Sequence, residues 1–566
     1  MDPTPTDDGG GLSGVEATAL RTSGNAKPTP PTESPRTLLT RRTIVFSFWA
    51  VVLGLGLPHW LWTTSTYRAS LPLSTMNDWA EGKACDLRFA FPIRLRVPGW
   101  TREEMVELGG NLSVLLGHDG SNGLLDFTIH VGNADEEPPL PPHEDSALTV
   151  VLHAADSPGS YGVTSRLEPG ESTLHLGSDM RQFGEIADQI REITVPQQEA
   201  LAYLLSGSPF AATERDALRP TRNTWSQASL DARNTRAFKP STIYHLSFSL
   251  FVSGHEPSAW AIEDALAAYV TPLVDALSGL SNFTVTTQVQ LHASFSPSIA
   301  GPTFDEASGE WKLRKEDLSG FVNAAEWPLS PSIGEGSTIN FVLYVPAAGH
   351  SPLVVADTGG TGWLVPQWGG VAILNLDGPT TQPKSTTDTD RTTLSASNLD
   401  DIMLTFVGQL TALIGLPSSP AGSLALRIAA LQRERATALL LSTASTLGAL
   451  SRLVHKLPNI PIPDTVATSV GTSLLHLDLA CQDLRAGRYS KTDTNLGALG
   501  NAQAASEASE KAFFEPSMVG QVYFPDEHKV AVYVPLLGPM GVPLVLAGVK
   551  ELLGLYRGMR EKVKGT

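Results

Sequence analysis

Two uninterrupted apolar stretches stand near the two ends of the chain. The first covers residues 43–62 and directly follows Arg41 and Arg42, and the second covers residues 530–549. Neither stretch contains Asp, Glu, Lys or Arg. An α-helix needs about 20 apolar residues to cross the hydrocarbon core of a bilayer. The pattern therefore predicts two transmembrane helices that bracket a long region of mixed polarity.

Basic residues flank the two stretches in opposite ways. They precede the first stretch, and they follow the second one as a cluster: Lys550, Arg557, Arg560, Lys562 and Lys564. Lys and Arg near a membrane span favour its cytosolic side. We therefore expect both termini in the cytosol and the intervening chain in a lumen. Residues 1–42, which are rich in Pro, Thr, Ser and Gly, predict a disordered cytosolic tail, and residues 550–566 predict a basic cytosolic tail.

A segment that is removed during maturation is the alternative at each end. The apolar core of a cleaved signal peptide has about 7–15 residues and lies close to the N-terminus. Here 42 residues precede the first stretch, which is also longer than such a core. A GPI-attachment signal ends in apolar residues, whereas a basic tail follows the second stretch. Both comparisons favour transmembrane helices that are retained.

Hydrophobic and polar residues alternate in the first part of the intervening region. Three runs predict strands, the first of them half-buried: residues 87–97, 125–131 and 148–152. Thr101 and Glu104 have the spacing of a capping box, so a helix is expected to begin between the first two strands. A further helix, capped by Ser178 or Asp179, is predicted to end at about Ile193. These elements predict a lumenal α/β unit over residues 68–235.

A second block repeats this order of elements. It follows a stretch at about 206–240 that contains Pro and Arg and predicts a linker or a long surface loop. An amphipathic helix is predicted at 260–277, and four runs predict strands: residues 244–250, 283–291, 339–345 and 371–376. Strand, helix, strand, strand therefore occurs twice, which suggests a duplicated α/β unit whose second copy covers 241–380.

The pattern changes to helix near residue 400. Four Ala- and Leu-rich segments are separated by Pro or Gly: residues 400–415, 422–456, 463–486 and 492–513. Short connections favour antiparallel neighbours, so we expect a helical layer over 400–515. The predicted fold class is a mixed α/β lumenal domain with a C-terminal helical layer, flanked by one N-terminal and one C-terminal transmembrane helix.

Charge and cysteine content exclude some functions. The chain has 58 acidic and 40 basic residues, a formal net charge of −18, which argues against a nucleic-acid partner. Its two cysteines are Cys85 and Cys481. In an oxidising lumen they can pair with each other, pair with a partner chain or remain buried thiols, and their spacing does not choose among these. There is no Cys/His cluster with the spacing of a zinc site.

Short motifs add one prediction about glycosylation and one about cellular location. Asn111 and Asn282 begin N-x-Ser/Thr sequons, so both are candidate glycosylation sites in a lumenal chain. Lys562 and Lys564 have the K-x-K-x-x form of a cytosolic ER-retrieval signal, and a positive-inside flank is an equally good explanation of them. Together these features predict a protein of the endoplasmic reticulum membrane.

Catalytic motifs are missing from the sequence. It has no G-x-S-x-G elbow, no phosphate-binding G-x-x-x-x-G-K-[ST] loop and no H-E-x-x-H pair. Asp388 and Asp390 form a D-x-D pair, which in a glycosyltransferase could hold a divalent metal against a nucleotide sugar. The pair lies in a Thr- and Ser-rich stretch, so a solvated loop is the favoured interpretation. We predict no catalytic residue, no cofactor and no metal site, and keep a lumenal ER or Golgi glycosyltransferase as the alternative.

Prolines recur at every fourth position of the second apolar stretch, at Pro535, Pro539 and Pro543. Each proline removes an intrahelical hydrogen bond, and in lipid the freed carbonyl needs another partner. One interpretation is a kinked helix that packs inside a membrane assembly. The other is a helix that starts late, near Leu544, after an interfacial segment.

An ordered series of segments resembles the PIG-S family, subunits of the GPI transamidase. The series runs from the first apolar stretch to the second: Thr66–Ala69, Tyr244–Leu250, Asn323–Leu329, Tyr344–Pro346, Val365–Gly370 and Tyr523–Asp526. The resemblance implies a non-catalytic subunit of the ER complex that attaches proteins to GPI anchors. It implies that the catalytic Cys/His centre belongs to a caspase-like, PIG-K-like partner. It also implies PIG-T-like, PIG-U-like and GAA-type partners, membrane lipid around the spans, and a scaffolding role for this chain.

Overall fold

The chain divides into two compact units, which are described separately: Met1–Thr66 with Tyr523–Thr566, and Tyr67–Val522. The computed structural model describes the following residues: 34–64, 67–97, 99–118, 124–131, 148–153, 162–164, 172–177, 183–210, 224–293, 301–322, 336–376, 393–417, 424–458, 460–489, 491–492, 494–519 and 526–564. Of the predicted disordered tail, residues 1–42, the first 33 residues lie outside these ranges, and residues 35–42 are helical. The pair Asp388 and Asp390 also lies outside the described ranges.

The terminal unit consists of long apolar helices. Helix α1 spans Pro35–Val51 and continues through a π-helical turn, Val52–Gly56, into α2, Leu57–Thr64. Ser34 caps α1, because its hydroxyl accepts a hydrogen bond from the backbone N–H of Thr37. The C-terminal helix, α14, spans Asp526–Lys564. Both predicted transmembrane segments are therefore helical.

The central unit combines two sheets with a helical layer. Its helices in chain order are α3 Leu73–Ala80, α4 Arg102–His118, α5 Phe183–Leu205, α6 Thr224–Arg236, α7 Ile262–Ala265, α8 Thr271–Leu277, α9 Ala396–Ile414, α10 Leu424–Lys456, α11 Asp464–Ala486, α12 Gly497–Phe513 and α13 Pro516–Val519. A π-helical turn, Leu266–Val270, joins α7 to α8 where Pro272 interrupts the hydrogen-bond ladder. The four helices predicted for the helical layer, α9 to α12, are all present.

Among the described residues the first sheet has five strands: β1 Phe89–Arg96, β2 Leu125–Val131, β3 Leu148–His153, β4 Gly162–Thr164 and β5 Ser172–Gly177. Their spatial order is β2-β1-β3-β5-β4, and all neighbours are parallel except β4 and β5. The capping box predicted at the start of α4 is confirmed, since the backbone N–H of Thr101 donates to Glu104 at 2.8 Å.

The second sheet repeats this topology. Its strands are β6 Ile243–Val252, β8 Asn282–Leu291, β11 Ser337–Val345, β13 Gly362–Val365 and β14 Gly369–Ile373. The spatial order β8-β6-β11-β14-β13 is again second, first, third, fifth, fourth, and again only the fourth strand is antiparallel. Two short accessory sheets complete the unit, from β7 Ala259–Trp260 with β15 Thr393–Leu394, and from β9 Thr303–Asp305, β10 Glu310–Leu313 and β12 Leu353–Val355. The shared order supports the duplication that the sequence suggests.

Three local predictions are wrong. Strand β1 is buried on both faces along most of its length, because it lies inside the sheet with β2 and β3 on either side. Helix α5 continues beyond the expected Ile193 through Pro196 to Leu205, because Ile190, Leu201 and Leu205 keep its buried face continuous. The stretch near 206–240 contains α6, which an ion pair between Arg233 and Glu434 attaches to α10.

Helix α10 is the centre of the helical layer. Hydropathy alone would also allow it to span a membrane, since it is one of three such helices among the described residues. Half of its apolar window is buried inside the central unit, and it carries Arg433, Glu434 and Arg435, all buried. A Cβ added at Gly448 would lie 2.5 Å from the Cβ of Ala80, so α10 and α3 pack in close contact. Residues 428–437 of α10 are all buried, and burial on all sides is typical of a core helix.

A disulfide joins Cys85, just before β1, to Cys481 in α11, with 6.2 Å between the two Cα atoms. Of the three states that the sequence left open for these cysteines, the structure shows the one in which they pair with each other. The bond links the first sheet to the helical layer across 396 residues of sequence.

The Trp368–Gly370 turn owes its glycines to close packing. A Cβ at Gly369 would lie 1.8 Å from the carbonyl oxygen of Asn340, and a Cβ at Gly370 would lie 1.8 Å from Oε1 of Gln409. The Gln409 side chain donates hydrogen bonds to the carbonyls of Trp363, at 2.9 Å, and Val371, at 3.3 Å. The turn thus fixes β13 and β14 against α9.

We expect Gly370→Ala to lower the free energy of unfolding by about 1–3 kcal/mol, because a displaced Gln409 loses buried hydrogen bonds. The measurement is pulse proteolysis of the detergent-solubilised full chain across a urea series. The matched control is Gly408→Ala, one residue away from Gln409 on α9. A Cβ at Gly408 meets no atom within 4 Å, so this change should stabilise the helix by about 0.5–1 kcal/mol. Equal effects of the two variants would contradict the packing argument.

Candidate functional site

The carboxyl ends of parallel strands are the usual ligand-binding edge of an α/β sheet. In the second sheet a partly buried pair lies there: the hydroxyls of Ser253, which follows β6, and Tyr344, near the end of β11, are 2.6 Å apart. Burial raises the pKa of Tyr344. The small sheet of β9, β10 and β12 packs against the second sheet beside this pair. Its residues Leu313 and Leu353 belong to one apolar cluster with Phe251 and Tyr344.

The candidate reactive residues do not form a common site. Among the described residues no group of three His, Cys, Asp or Glu side chains is placed to hold a metal ion. Cys481 is bonded to Cys85 and so offers no thiol. His245 Nδ1 lies 2.6 Å from the hydroxyl of Thr284, while His255 is exposed in the turn after β6.

Both sequon asparagines are on the surface. Asn111 is exposed on α4, and Asn282 is exposed at the first residue of β8. Their glycosylation stays a prediction, as does retrieval by Lys562 and Lys564, which lie in the last turn of α14.

Residues 67–69, which follow α2 in the sequence, are hydrogen-bonded to the helical layer. The backbone N–H of Ala69 donates to the carbonyl of Ile462 at 2.8 Å, and the N–H of Ile462 donates back to Tyr67 at 3.1 Å. The Arg68 guanidinium donates to the carbonyls of Val454 and Pro458 at the C-terminal end of α10, where a cation is favoured. The Tyr67 hydroxyl donates to Asp464 at 2.7 Å, and this bond raises the pKa of Tyr67. One of the segments that resembles the PIG-S family therefore has a structural role.

The helices of the terminal unit run antiparallel. At one end Arg41 and Arg42 both donate to Glu551, at 2.6 and 3.0 Å, and Glu551 is 4% exposed. In the middle, a Cβ at Gly548 would lie 2.9 Å from the indole nitrogen of Trp49. At the other end the rings of Trp60 and Tyr533 meet edge to face, 6.2 Å apart. Residue numbers rise along α1 and α2 from 41 to 60 while those of their contacts on α14 fall from 551 to 533. Residues 41, 42 and 551 therefore lie at the same end of the helix pair.

Helix α14 passes through all three of its prolines without a break, from Asp526 to Lys564. The interpretation in which it begins near Leu544 is therefore wrong. An apolar groove of about 430 Å3 follows one side of this helix, lined by Tyr533, Val534, Leu537, Gly538, Gly541, Val542, Val545 and Leu546. Small residues such as Gly538 and Gly541 allow another helix to approach closely in a membrane.

Glu551 was not identified from the sequence, although the signal was present as an acid next to Lys550 in a tail with five basic residues and one other acid, Glu561. We expect Glu551→Gln to weaken the pairing of α1 and α14 by about 1–3 kcal/mol, because it removes two charge-assisted hydrogen bonds. Oxidative cross-linking of a Trp60→Cys/Tyr533→Cys pair measures this pairing in membranes. Lys550→Gln, at an exposed neighbouring position, is the control and should leave the cross-linking yield unchanged. An unchanged yield in Glu551→Gln would exclude a role for the ion pairs.

Comparison with known proteins identifies the family. The sequence profile described as "Phosphatidylinositol-glycan biosynthesis class S protein", PIG-S, matches residues 47–557. The chain is 29% identical to the rat "GPI-anchor transamidase component PIGS", over 93% of this chain and 97% of the rat protein. It is 28% identical to the human protein of the same name, with the same coverage. It is 27% identical to the "GPI transamidase component PIG-S homolog" of Schizosaccharomyces pombe, over 91% of this chain and 85% of that protein. The chain belongs to the PIG-S family.

Proposed function

We propose that this chain is a non-catalytic structural subunit of the GPI transamidase of the endoplasmic reticulum. In this role it supports the attachment of GPI anchors to proteins by scaffolding a caspase-like catalytic subunit. The observation that carries the proposal is the match to the PIG-S family over residues 47–557. It is strengthened by the relatives that are named transamidase components and match the chain over nearly its whole length.

The proposed topology has two membrane spans, with both termini in the cytosol and the central unit in the lumen. Antiparallel pairing of α1 with α14 supports it, because it brings Arg41, Arg42 and Lys550 to the same end as Glu551. The Cys85–Cys481 disulfide supports it as well, since such bonds persist in an oxidising compartment.

The proposed partners are a PIG-K-like catalytic subunit and PIG-T-like, PIG-U-like and GAA-type subunits. The groove along α14 supports packing of this helix against another transmembrane helix. Carbonyls freed by Pro535, Pro539 and Pro543 add a need for hydrogen-bond donors, which lipid acyl chains do not have. A partner helix with polar side chains meets both requirements.

Purification of the tagged full chain in mild detergent, followed by mass spectrometry, tests the role. We expect the caspase-like subunit to be recovered with it, and cells that lack the chain should lose GPI-anchored proteins from their surface. Recovery of the chain alone would refute the proposal. Protease added to sealed microsomes should remove only the terminal tails, and removal of the central unit would refute the topology.

A further inference from the structure

Strand β8 forms one edge of the second sheet. It pairs with β6 in register from Ile243 and Asn282 to Val252 and Leu291. Its ten residues include no charged residue and no proline. In the part of the chain that the structure describes, β6 is its one neighbouring strand.

The backbone of β8 presents alternate residues to each side. In a strand the N–H and C=O of one residue point the same way, and those of the next residue point the opposite way. The N–H of Asn282 donates to Thr242 on the β6 side at 2.8 Å. The odd-numbered residues therefore direct their backbone groups outward: Phe283, Val285, Thr287, Val289 and Leu291.

The other edges of the two large sheets are protected in ways that β8 is not. Strand β2 is the topological equivalent of β8 in the first sheet. Helix α4 covers it so closely that a Cβ at Gly109 would lie 3.1 Å from the Val131 side chain. It also carries Asp126, 3.7 Å from Arg88. The remaining edge strands, β4 and β13, have only three and four residues, and a short edge is itself a form of protection.

Exposure of the β8 side chains agrees with this difference. Val285 and Val289 are 44% and 39% exposed. They lie on the face of β8 that corresponds to the helix-covered face of β2 in the first sheet. Soluble proteins protect long edge strands with charges, prolines, bulges or a covering element, because a bare edge pairs with other strands. An uncharged edge of this length is expected to be covered in the assembled protein.

The size of the edge indicates what covers it. Ten residues at about 3.4 Å each give a length of about 34 Å, and at the roughly 10 Å thickness of a sheet layer the edge offers about 340 Å2. A stable interface needs about 800 Å2 from each partner. The edge alone is too small for a stable interface with any partner, so a strand that pairs there must belong to a larger contact. Relatives of the chain are named components of a transamidase, and this favours another subunit of such an assembly as the source of the strand.

We propose that β8 accepts an extended, uncharged strand from another subunit of the transamidase, which continues the second sheet. This inference rests on the proposed function. Main-chain hydrogen bonds would supply the affinity, and apolar side chains of the partner would pack beside Val285 and Val289. The sequon residues Asn282 and Thr284 are on the opposite face of the strand, so a glycan at Asn282 leaves the outer backbone accessible.

Hydrogen–deuterium exchange with residue-level fragmentation tests the proposal on the purified complex and on the isolated full chain in the same detergent. We expect the outward amides of Val285, Thr287 and Val289 to exchange at least tenfold more slowly in the complex. The amides of Thr286 and Gln288 face β6 and should be protected in both samples, which shows that the strand is folded in each.

Two variants separate pairing from folding. Thr287→Pro removes one outward N–H, and Val289→Lys places a charge beside the edge; both leave the amides that face β6 in place. Each should abolish the protection of the outward amides in the complex while the amide of Thr286 stays protected. Thr128→Lys, at an exposed position of β2, is the control and should leave β8 protected.

Several results would overturn the proposal. Outward amides that exchange equally fast in the complex and in the isolated chain would mean that no strand pairs there, while the scaffolding role would stand. Protection in the isolated chain that depends on its concentration would assign the edge to a second copy, and protection at every concentration would assign it to the chain itself. If no other subunit is recovered with the chain, the proposed strand donor does not exist, and the proposed function fails as well.

Discussion

Replacing Glu434 with glutamine should lower the free energy of unfolding by about 3–5 kcal/mol, the usual effect of removing one partner from a buried ion pair. Both nitrogens at the end of the Arg233 guanidinium donate to the Glu434 carboxylate, at 2.5 and 3.3 Å. The side chains of Arg233 and Glu434 are 13% and 7% exposed. Arg433 and Arg435 on either side of Glu434 are buried as well. Without the carboxylate, Arg233 loses its ion-pair partner, and the buried Arg433 and Arg435 lose the negative charge of their neighbour Glu434.

The measurement is the urea midpoint of the detergent-solubilised full chain, read by pulse proteolysis. Glu510→Gln, an exposed acid on α12, is the matched control and should shift the midpoint little. Arg233→Gln in the Glu434→Gln background should recover part of the loss, because it removes one of the uncompensated cations. A Glu434→Gln midpoint equal to that of the control would show that the pair does not stabilise the fold.

The environment of Arg433 explains why α10 was only partly predictable. Its length and helical state follow from the apolar pattern of residues 422–456. The burial of three consecutive charged residues does not, because their partners are distant in sequence. Glu434 binds Arg233 in a stretch that predicts a linker, and the Arg433 guanidinium lies over the rings of Phe91 and Tyr489, 5.3 and 4.5 Å from their centroids. Tertiary contacts of this kind leave no local signal.

The positions of the strands were predictable, because the pattern that indicates a strand lies within the strand itself. Short alternating or apolar runs are local features, and they located β1, β2, β3, β6, β8, β11 and β14. The order of the strands depends on the crossovers between them, so alternation did not show that β1 is interior or that β8 is an edge. Asn282 could be recognised as a sequon, but the position of the strand that begins there, at the edge of the sheet, could not.

The terminal helices show the same limit. Length and charge predict two spans and their orientation. The contacts that pair the helices, from Trp60 with Tyr533 to Arg41 with Glu551, join residues more than 450 positions apart. The sequence therefore predicts that the helices exist, and the structure adds how they interact.

Loss of the Cys85–Cys481 disulfide should destabilise the central unit by about 2–5 kcal/mol, since the bond limits the freedom of the unfolded chain. It closes a loop of 396 residues in sequence separation, and longer loops lose more entropy when they are cross-linked. Both half-cystines are buried, at 4% and 7% exposure, so folding protects the bond from reductants.

The double variant Cys85→Ser/Cys481→Ser measures this contribution by pulse proteolysis in urea. The wild-type chain should migrate faster on a non-reducing gel than on a reducing one, whereas the variant should migrate equally on both. A reductant should lower the urea midpoint of the wild type to that of the variant and leave the variant unchanged, because the chain has no other cysteine. If the wild type and the double variant had equal urea midpoints without reductant, the bond would make no contribution to stability. A wild-type chain that carried two free thiols after purification would place the central unit in a reducing compartment, and the proposed lumenal topology would fail.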